Sequence, residues 1–215
     1  MTNRLVAGLV LGLFCFGSAV AQERFTEGVH YKRLDAPQPT AAADRVEVIE
    51  FFSYGCGHCN EFEPSLVAWK QDLPENVNLR LIPAGLGRAI FQQLAAVFYI
   101  ADELGVLDDT HAAMFTEIHE KKNRAIMSRE GLSSFFGQFG VEEAAFDAAI
   151  ASPEVQERFA AGEQAARAYG LQGVPMMVVN GKYSVMRNDA VGSYDQLLEV
   201  VDYLVEREAV SSAGG

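Results

Sequence analysis

Cys56 and Cys59, separated by Gly57 and His58, are the residues whose types and spacing best fit a chemical step. The four residues follow an apolar segment and open a segment with helical spacing. On the first turn of a helix the two sulfurs can close a disulfide, and a disulfide in so small a loop gains little from chain entropy. Such a bond is easily formed and broken, so the motif predicts a redox-active pair.

The first cysteine is the predicted reactive sulfur. A helix start presents free N–H groups and the positive end of the helix dipole, and both favour an anion such as a thiolate. Cys56 occupies that position, so we expect its thiol to ionise more readily than a free thiol. His58 can add a positive charge or a hydrogen bond.

A structural disulfide and a metal site are the alternatives to a redox pair. A loop of this size connects no distant parts of the chain, which disfavours the structural disulfide. Zinc sites usually have four ligands, commonly from two cysteine pairs, whereas this sequence has one such pair. The other histidines lie in separate predicted elements: His30, His111 and His119. We therefore expect no metal and no bound cofactor, because the disulfide would itself be the redox group.

Two acids and one X–Pro bond are further candidates for the site. Glu50 lies six residues before Cys56 in an otherwise apolar run, where burying a carboxylate is costly. It either reaches solvent or serves as a proton acceptor near the second sulfur, and the sequence leaves both open. Glu63 is expected to be a solvated helix residue that tunes the field at the thiols. The Val174–Pro175 bond precedes a predicted strand, but only about 5–6% of X–Pro bonds are cis, so the sequence alone does not predict that form.

Hydrophobic periodicity predicts the elements that position these residues. Residues 46–52 (VEVIEFF) are β-branched and aromatic, and they are apolar on both faces apart from Glu47 and Glu50. This pattern is typical of a strand covered on both sides. A helix begins at or near the cysteine motif, and residues 77–81 alternate as a second strand. Together these segments form a βαβ unit.

A change of hydrophobic periodicity after the βαβ unit predicts an insertion into this α/β domain. Residues 87–165 show the apolar spacing of several helices, and strand periodicity then returns. Asn180-Gly181 predicts a tight hairpin between two short strands. We therefore expect one α/β domain made of residues 22–86 and 166–215, split by an all-helical domain of residues 87–165. The same helices could instead be ordinary helices that wrap the sheet.

The charge of the chain excludes one class of partner. Its 215 residues carry 17 Lys and Arg against 29 Asp and Glu, a net charge of −12. Binding to nucleic acid or to an anionic membrane surface requires clustered positive charge, so neither is expected. The 49% of hydrophobic residues is enough for a folded core.

The first 21 residues have the features of a secretory signal peptide. Arg4 precedes the apolar run of residues 5–20, and Ala19-Val20-Ala21 is a small-residue cleavage signal. The run is shorter than the roughly 20 residues of a membrane-spanning helix. Phe14 rather than a small residue precedes Cys15, which disfavours a lipoprotein. We expect cleavage after Ala21 and export to a compartment where disulfides persist.

Several of these segments together resemble the DsbA family of thiol–disulfide oxidoreductases, which have a thioredoxin-like fold. The matching segments are residues 49–53 (IEFFS), the Cys-Gly-His-Cys motif, residues 61–63 (EFE), residues 173–175 (GVP) and residues 178–183 (VVNGKY). The resemblance covers nearly the whole chain after the predicted signal peptide, and it implies a thioredoxin-like α/β fold with an inserted all-helical domain. Gly57 is a departure, because the family often has proline there and Cys-Gly-His-Cys resembles protein disulfide isomerase instead.

The resemblance also implies roles for the candidate site residues. Cys56 would be the exposed nucleophile and Cys59 its buried partner, with the Val174–Pro175 bond in cis beside them. Glu50 and Glu63 would be acids near the pair.

In function, the resemblance implies a periplasmic oxidoreductase that donates its Cys56–Cys59 disulfide to exported proteins during oxidative folding. Its partners would be unfolded exported proteins with free cysteines and the membrane quinone-linked oxidase DsbB, and it would act as a monomer. Two alternatives stay open: an isomerase or reductase of the same fold, and a peptide-binding chaperone-like module with incidental cysteines. Isomerases of this fold usually have an added N-terminal dimerisation domain, for which the roughly 24 residues between Ala21 and Val46 leave no room.

Overall fold

The computed structural model describes residues 23–41 and 44–213 of the chain. The predicted signal peptide, residues 1–21, and its cleavage site after Ala21 lie outside the described residues. Within the described part, no helix has both the length and the apolar character needed to cross a membrane.

One mixed five-stranded sheet forms the centre of the molecule. Its strands are β1 (Lys32–Arg33), β2 (Val46–Phe52), β3 (Val77–Pro83), β4 (Met176–Val179) and β5 (Tyr183–Val185). They lie in the order β1-β5-β4-β2-β3, with β2 and β3 parallel and the other neighbours antiparallel. All seven residues of β2 are buried, which confirms the predicted strand covered on both sides.

Among the described residues, seven α-helices surround the sheet or lie beside it. They are α1 (Gly57–Gln71), α2 (Ala89–Glu103), α3 (Leu107–Phe115), α4 (Arg129–Gly137), α5 (Glu143–Ile150), α6 (Pro153–Ala168) and α7 (Tyr194–Ala213). A π-helical turn, Thr116–Glu120, continues α3, and a 3₁₀ turn, Arg124–Met127, precedes α4. Helix α1 connects the parallel strands β2 and β3, so the predicted βαβ unit is confirmed. Helices α2 to α6 all fall between β3 and β4, as the predicted helical block requires.

Alternate residues of β2 face two different cores. Val46 and Val48 pack with residues of α1 and α7 on one face of the sheet. Ile49 and Phe51 pack on the other face with Tyr169, the residue that follows α6. At the end of the strand, Phe52 joins a third apolar cluster that belongs mainly to the helical block. The end of β2 is therefore the place where the sheet and the helical block meet.

Helix α6 packs against both parts of the molecule. Val155 and Phe159, in its first half, belong to the cluster of the helical block. Ala165 and Ala166, near its end, pack with the residues of β2 that face away from α1. The predicted domain boundary between residues 165 and 166 falls inside this helix. The division of the chain into two domains stays a prediction.

The turn between β4 and β5 has the conformation that its sequence predicts. Asn180 and Gly181 have φ angles of 51° and 62°, the positive values that a tight hairpin turn of this type requires. A Cβ atom on Gly181 would lie 2.1 Å from the carbonyl oxygen of Gln38, so the turn also needs glycine for space. The predicted hairpin is confirmed.

Candidate active site

Cys56 lies at the end of the short connection between β2 and α1. Its backbone is extended, with φ −96° and ψ 118°, and Gly57 is the first residue of the helix. The Cys56 N–H donates to the Ser53 carbonyl oxygen at 3.0 Å, and the Cys56 carbonyl oxygen accepts from the Asn60 N–H at 3.1 Å. Both cysteines carry free thiols, so the structure shows the reduced pair. The predicted position of Cys56 at a helix start is confirmed.

The environment of Cys56 stabilises a thiolate. Its pKa is lowered to about 6, chiefly by the hydrogen bond with the Cys59 thiol. Backbone N–H groups of Cys59 and His58 and the charge of the His58 ring lower the pKa further, whereas partial burial of the sulfur opposes them. These backbone donors belong to the first helical turn, where N–H groups have no partner within the helix. At neutral pH the outer sulfur is therefore mostly ionised.

Cys59 has the opposite environment. It is 1% exposed, and burial is the main cause that raises the pKa of its thiol far above the ordinary value. The hydrogen bond with Cys56 acts in the same direction, and so would a negative charge on Glu50. The pair thus combines a partly exposed thiolate with a buried thiol that holds its proton.

The Val174–Pro175 bond lies beside the outer sulfur and is cis, as the resemblance implies. The Val174 carbonyl oxygen is 3.4 Å from Cys56 Sγ and accepts from it when the thiol is protonated. Antiparallel pairing of β2 with β4, in which Phe51 lies opposite Met176, brings this distant segment to the cysteine motif.

Glu50 is buried, so the interpretation in which it reaches solvent is wrong. Its position on β2 places it on the same face as Val48, the face that α1 covers. It is 2% exposed, and its Oε2 atom makes no hydrogen bond within the described residues. Burial, followed by the charges of Glu63 and Cys56, raises its pKa well above the usual range. Burial therefore favours the uncharged form of this carboxyl group, which can give or take a proton.

Glu63 is also buried, although the sequence favoured a solvated position. It lies four residues after Cys59 on α1, so both side chains share one face of the helix. Its Oε2 atom is 3.5 Å from His111 Nε2. Two acids, Glu50 and Glu63, thus lie on the buried side of the pair, as the resemblance implies.

No sequence pattern predicted a role for Tyr54. His111 and His119 were predicted only to lie in separate elements. The Tyr54 hydroxyl lies 2.7 Å from His111 Nδ1, and His119 Nε2 donates to the Tyr54 carbonyl oxygen at 2.7 Å. These contacts join residues 57 and 65 positions apart, so no local pattern reveals them.

The two residues between the cysteines face solvent and the open end of the site. A Cβ atom on Gly57 would meet no atom within 4 Å, so this position has room for a larger residue. His58 is exposed, with Nδ1 3.3 Å from Glu61 Oε2, and its carbonyl oxygen accepts from the Tyr194 hydroxyl at 2.8 Å. His58, Pro175 and Tyr194 line an open cavity of about 430 Å³ beside the cysteine motif.

The side chains that could bind a metal ion are dispersed in the part of the chain that the structure covers. No three His, Cys, Asp or Glu side chains of residues 23–41 and 44–213 come together as a metal site needs.

The family model of the DSBA-like thioredoxin domain matches residues 47–199. The chain belongs to this family. It is therefore a thiol–disulfide oxidoreductase with a thioredoxin-like α/β fold and a helical insertion.

Individual members of the family are similar to this chain over almost its full length. The thiol:disulfide interchange protein DsbA of Pseudomonas aeruginosa is 32% identical over 212 residues, 99% of each chain. The protein of the same name from Azotobacter vinelandii is 35% identical and covers 96% of this chain and 98% of its own. The crystal structure of Pseudomonas aeruginosa DsbA superposes with a TM-score of 0.81 at 33% identity, over 88% of this chain and 97% of that one.

We expect Cys56 in the reduced protein to titrate at about 6, well below a free thiol. Cys59→Ala removes the hydrogen bond that lowers this pKa most, so the Cys56 pKa should rise in that variant. Ultraviolet thiolate absorbance measured against pH, with the Cys56→Ser protein as the blank, reports both values. A wild-type titration at the free-thiol value would contradict the assignment.

The reduced protein should unfold at higher denaturant concentration than the oxidised protein, and the difference should increase with pH from about 6 to about 9. The folded-state pKa of Cys56 lies below the ordinary value of 9.0. The Cys56 thiolate therefore stabilises the folded reduced protein. Its contribution to the free energy of unfolding is complete above the unfolded-state pKa and is lost as the pH falls through the folded-state pKa. The oxidised protein has no Cys56 thiol to ionise, so it lacks the effect. Denaturant melts of both forms at several pH values measure it, and a difference that does not vary with pH would count against it.

Proposed function

We propose that the protein donates its Cys56–Cys59 disulfide to exported proteins in the periplasm. The observation that carries this proposal is the opposite ionisation of the two sulfurs, with the Cys56 pKa lowered and the Cys59 pKa raised. Stabilising the outer thiolate favours the reduced form of the pair over the disulfide. A pair of this kind is a better donor of disulfides than an ordinary dithiol.

The first step uses the exposure of the outer sulfur. A substrate thiolate attacks Cys56 Sγ of the disulfide, a substrate–Cys56 bond forms, and the Cys56–Cys59 bond breaks. The electron pair of the broken bond goes to Cys59 Sγ. Because burial disfavours a thiolate at that position, Cys59 takes up a proton, and the uncharged carboxyl group of Glu50 is the proposed donor.

The second step releases the product. A second substrate thiolate attacks the substrate sulfur of the mixed disulfide, and the electron pair of the substrate–Cys56 bond goes to Cys56 Sγ. Cys56 leaves as a thiolate because its pKa of about 6 lies below neutral pH. The substrate has lost two electrons and two protons, and the protein is reduced. Glu50 regains its proton from solvent before the next cycle.

The surface around Cys56 suits an extended peptide. The open cavity lined by His58, Pro175 and Tyr194 also borders Val174, whose carbonyl oxygen is 3.4 Å from Cys56 Sγ. A chain bound there would place its cysteine near Cys56 without a deep pocket that selects one side chain. We propose unfolded exported proteins with free cysteines as the substrates.

The remaining parts of the proposal concern the setting of the reaction. The sequence pattern of residues 1–21 supports export, with cleavage after Ala21. Each cycle leaves the protein reduced, so an oxidant must restore the disulfide, and we propose the membrane quinone-linked oxidase DsbB. The pair itself carries the electrons, so no bound cofactor is needed, and the protein acts as a monomer.

Oxidised protein should transfer one disulfide per molecule to a reduced, unfolded protein that contains two cysteines. Mass spectrometry after alkylation of free thiols counts the disulfides on both proteins. The pair should also be more oxidising than glutathione in a series of glutathione ratios, because its reduced form is stabilised.

The Cys56→Ser, Cys59→Ser double variant is the matched control for this transfer. It should bind unfolded chains no worse than wild type but oxidise none of them. Protection of exported proteins that persists undiminished in the double variant would favour the chaperone-like alternative. A potential more reducing than glutathione would favour a reductase.

Glu50→Gln should slow the steps in which Cys59 gains or loses a proton by about 100-fold, the lower end of what general acid–base catalysis supplies. The Cys56 pKa should change little, because one uncharged group replaces another. The variant should be at least as stable as wild type at neutral pH, since the folded protein no longer holds a carboxyl group that prefers to ionise in the unfolded chain. Stopped-flow thiol exchange and denaturant melts measure these effects.

Glu47→Gln is the matched control, because Glu47 is equally buried on β2 but faces the other side of the sheet. Its carboxylate lies 3.7 Å from the Arg80 guanidinium rather than near the cysteines. Exchange in this variant should proceed at the wild-type rate. Equal rates in wild type and both variants would remove Glu50 from the mechanism.

A further inference from the structure

Two histidines from the helical block hold one residue of the turn before the nucleophile. Tyr54 is buried two positions before Cys56. His119 Nε2 donates to its carbonyl oxygen at 2.7 Å, and His111 Nδ1 lies 2.7 Å from its hydroxyl oxygen. One residue is thus fixed at its backbone and at the far end of its side chain by two side chains of a different structural part.

The hydrogen-bonding roles follow from the neighbouring groups. A carbonyl oxygen only accepts, so His119 carries a proton on Nε2. His111 Nε2 is buried 3.5 Å from the Glu63 carboxyl group and makes no hydrogen bond within the described residues. A negative charge on Glu63 favours a proton on that nitrogen. His111 Nδ1 then accepts from the Tyr54 hydroxyl, whose pKa is raised by burial and which therefore stays protonated.

A local irregularity of the backbone aims His119 at Tyr54. His119 follows His111 by eight residues, which in a continuous α-helix would place it about 80° past two full turns. Thr116–Glu120 instead forms a π-helical turn, closed by the hydrogen bond from the Lys121 N–H to the Thr116 carbonyl oxygen. A wider turn advances less around the axis for each residue. The turn therefore returns His119 toward the face that carries His111.

The same turn is confined from other directions as well. The Gly55 N–H lies 3.3 Å from Ser53 Oγ, and a Cβ atom on Gly55 would come within 2.6 Å of the Phe91 ring of α2. The His111 ring also reaches Glu63 on α1, so it connects the turn before Cys56 with the helix after it. Any displacement of this turn would move the start of α1, where Cys56 meets the N–H groups that stabilise its thiolate.

We propose that His111 and His119 are positioning residues for disulfide exchange, which hold Tyr54 and so fix the turn that presents Cys56 at the start of α1. Neither histidine touches the reacting sulfurs within the described contacts. They act through Tyr54, so the helical block contributes to the positioning of the nucleophile. The inference rests on the proposed role of Cys56 as nucleophile.

The test compares two variants that each remove one of the two hydrogen bonds. His119→Leu keeps bulk but cannot donate to the Tyr54 carbonyl oxygen, and Tyr54→Phe keeps the ring but loses the hydroxyl that meets His111. Each should shift the equilibrium of the Cys56–Cys59 pair with glutathione toward the protein disulfide by about fivefold, the size of one net hydrogen bond. The pKa of Cys56 should rise in parallel, and the rate of disulfide transfer should fall.

Two further variants separate positioning from a general loss of stability. His119→Gln restores an N–H donor at this site and should recover most of the wild-type equilibrium. Tyr169→Phe removes the hydroxyl of another buried tyrosine, which packs on Phe51 on the far side of the sheet, and should leave the equilibrium unchanged. Denaturant melts of all four variants show how much stability each has lost.

Wild-type redox behaviour in both His119→Leu and Tyr54→Phe would overturn the inference. An equally large shift of the redox equilibrium in Tyr169→Phe would also overturn the inference, because the shift would then follow a general loss of stability. The same holds if His119→Gln does not recover the wild-type equilibrium, because the shift would then follow the loss of the histidine ring rather than of the N–H donor. A wild-type protein that transfers no disulfide would instead contradict the proposed function, so the two failures are distinguishable.

Discussion

Cys56 and Cys59 lie within one turn of each other at the start of α1, yet only Cys56 is partly open to water. Cys56 is at the helix start, where the hydrogen bond with the Cys59 thiol and the N–H groups of the first turn lower its pKa to about 6. Cys59 is one turn deeper and almost fully buried, so its pKa is raised. Burying an ion without a partner is far more costly than burying a neutral thiol. In the proposed mechanism, this difference decides which sulfur is attacked and which one needs a proton.

The interior around Cys59 holds acids that would repel each other if they were all ionised. Glu50 and Glu63 lie on the buried side of the helix, and each raises the cost of charge on its neighbours. Burial favours the protonated form of Glu50, because an uncharged carboxyl group is much cheaper to bury than a carboxylate. The burial that makes a carboxylate costly at this position also raises the pKa of Glu50, and the raised pKa lets the group hold a proton that it can give to a neighbour.

The two structural parts make different contributions to the site. The sheet and α1 supply both cysteines, the buried acids and the segment around Pro175, through strand pairing and one short connection. The helical block supplies no reacting atom, but it covers Phe52, Tyr54 and Cys59 with apolar side chains and brings two histidines to Tyr54. Exclusion of water from the inner sulfur therefore depends on residues far from it in sequence.

The sequence by itself determined the elements whose causes are local. The buried strand β2, the helix start at Cys56 and the hairpin at Asn180-Gly181 follow from periodicity, from capping geometry and from the conformational freedom of glycine, and all three are present. Resemblance added the family and the cis bond before Pro175, which local rules did not supply.

Only the tertiary structure decided which polar residues are buried and what they touch. The sequence left the burial of Glu50 open and favoured a solvated position for Glu63, and the burial of both acids depends on the helices packed over them. His111 and His119 contact Tyr54 because of a π-helical turn and because the helical block packs against the turn after β2, more than 50 residues away in sequence. Local propensity carries no information about such pairs, because their distance is fixed by packing between elements rather than by spacing along one of them.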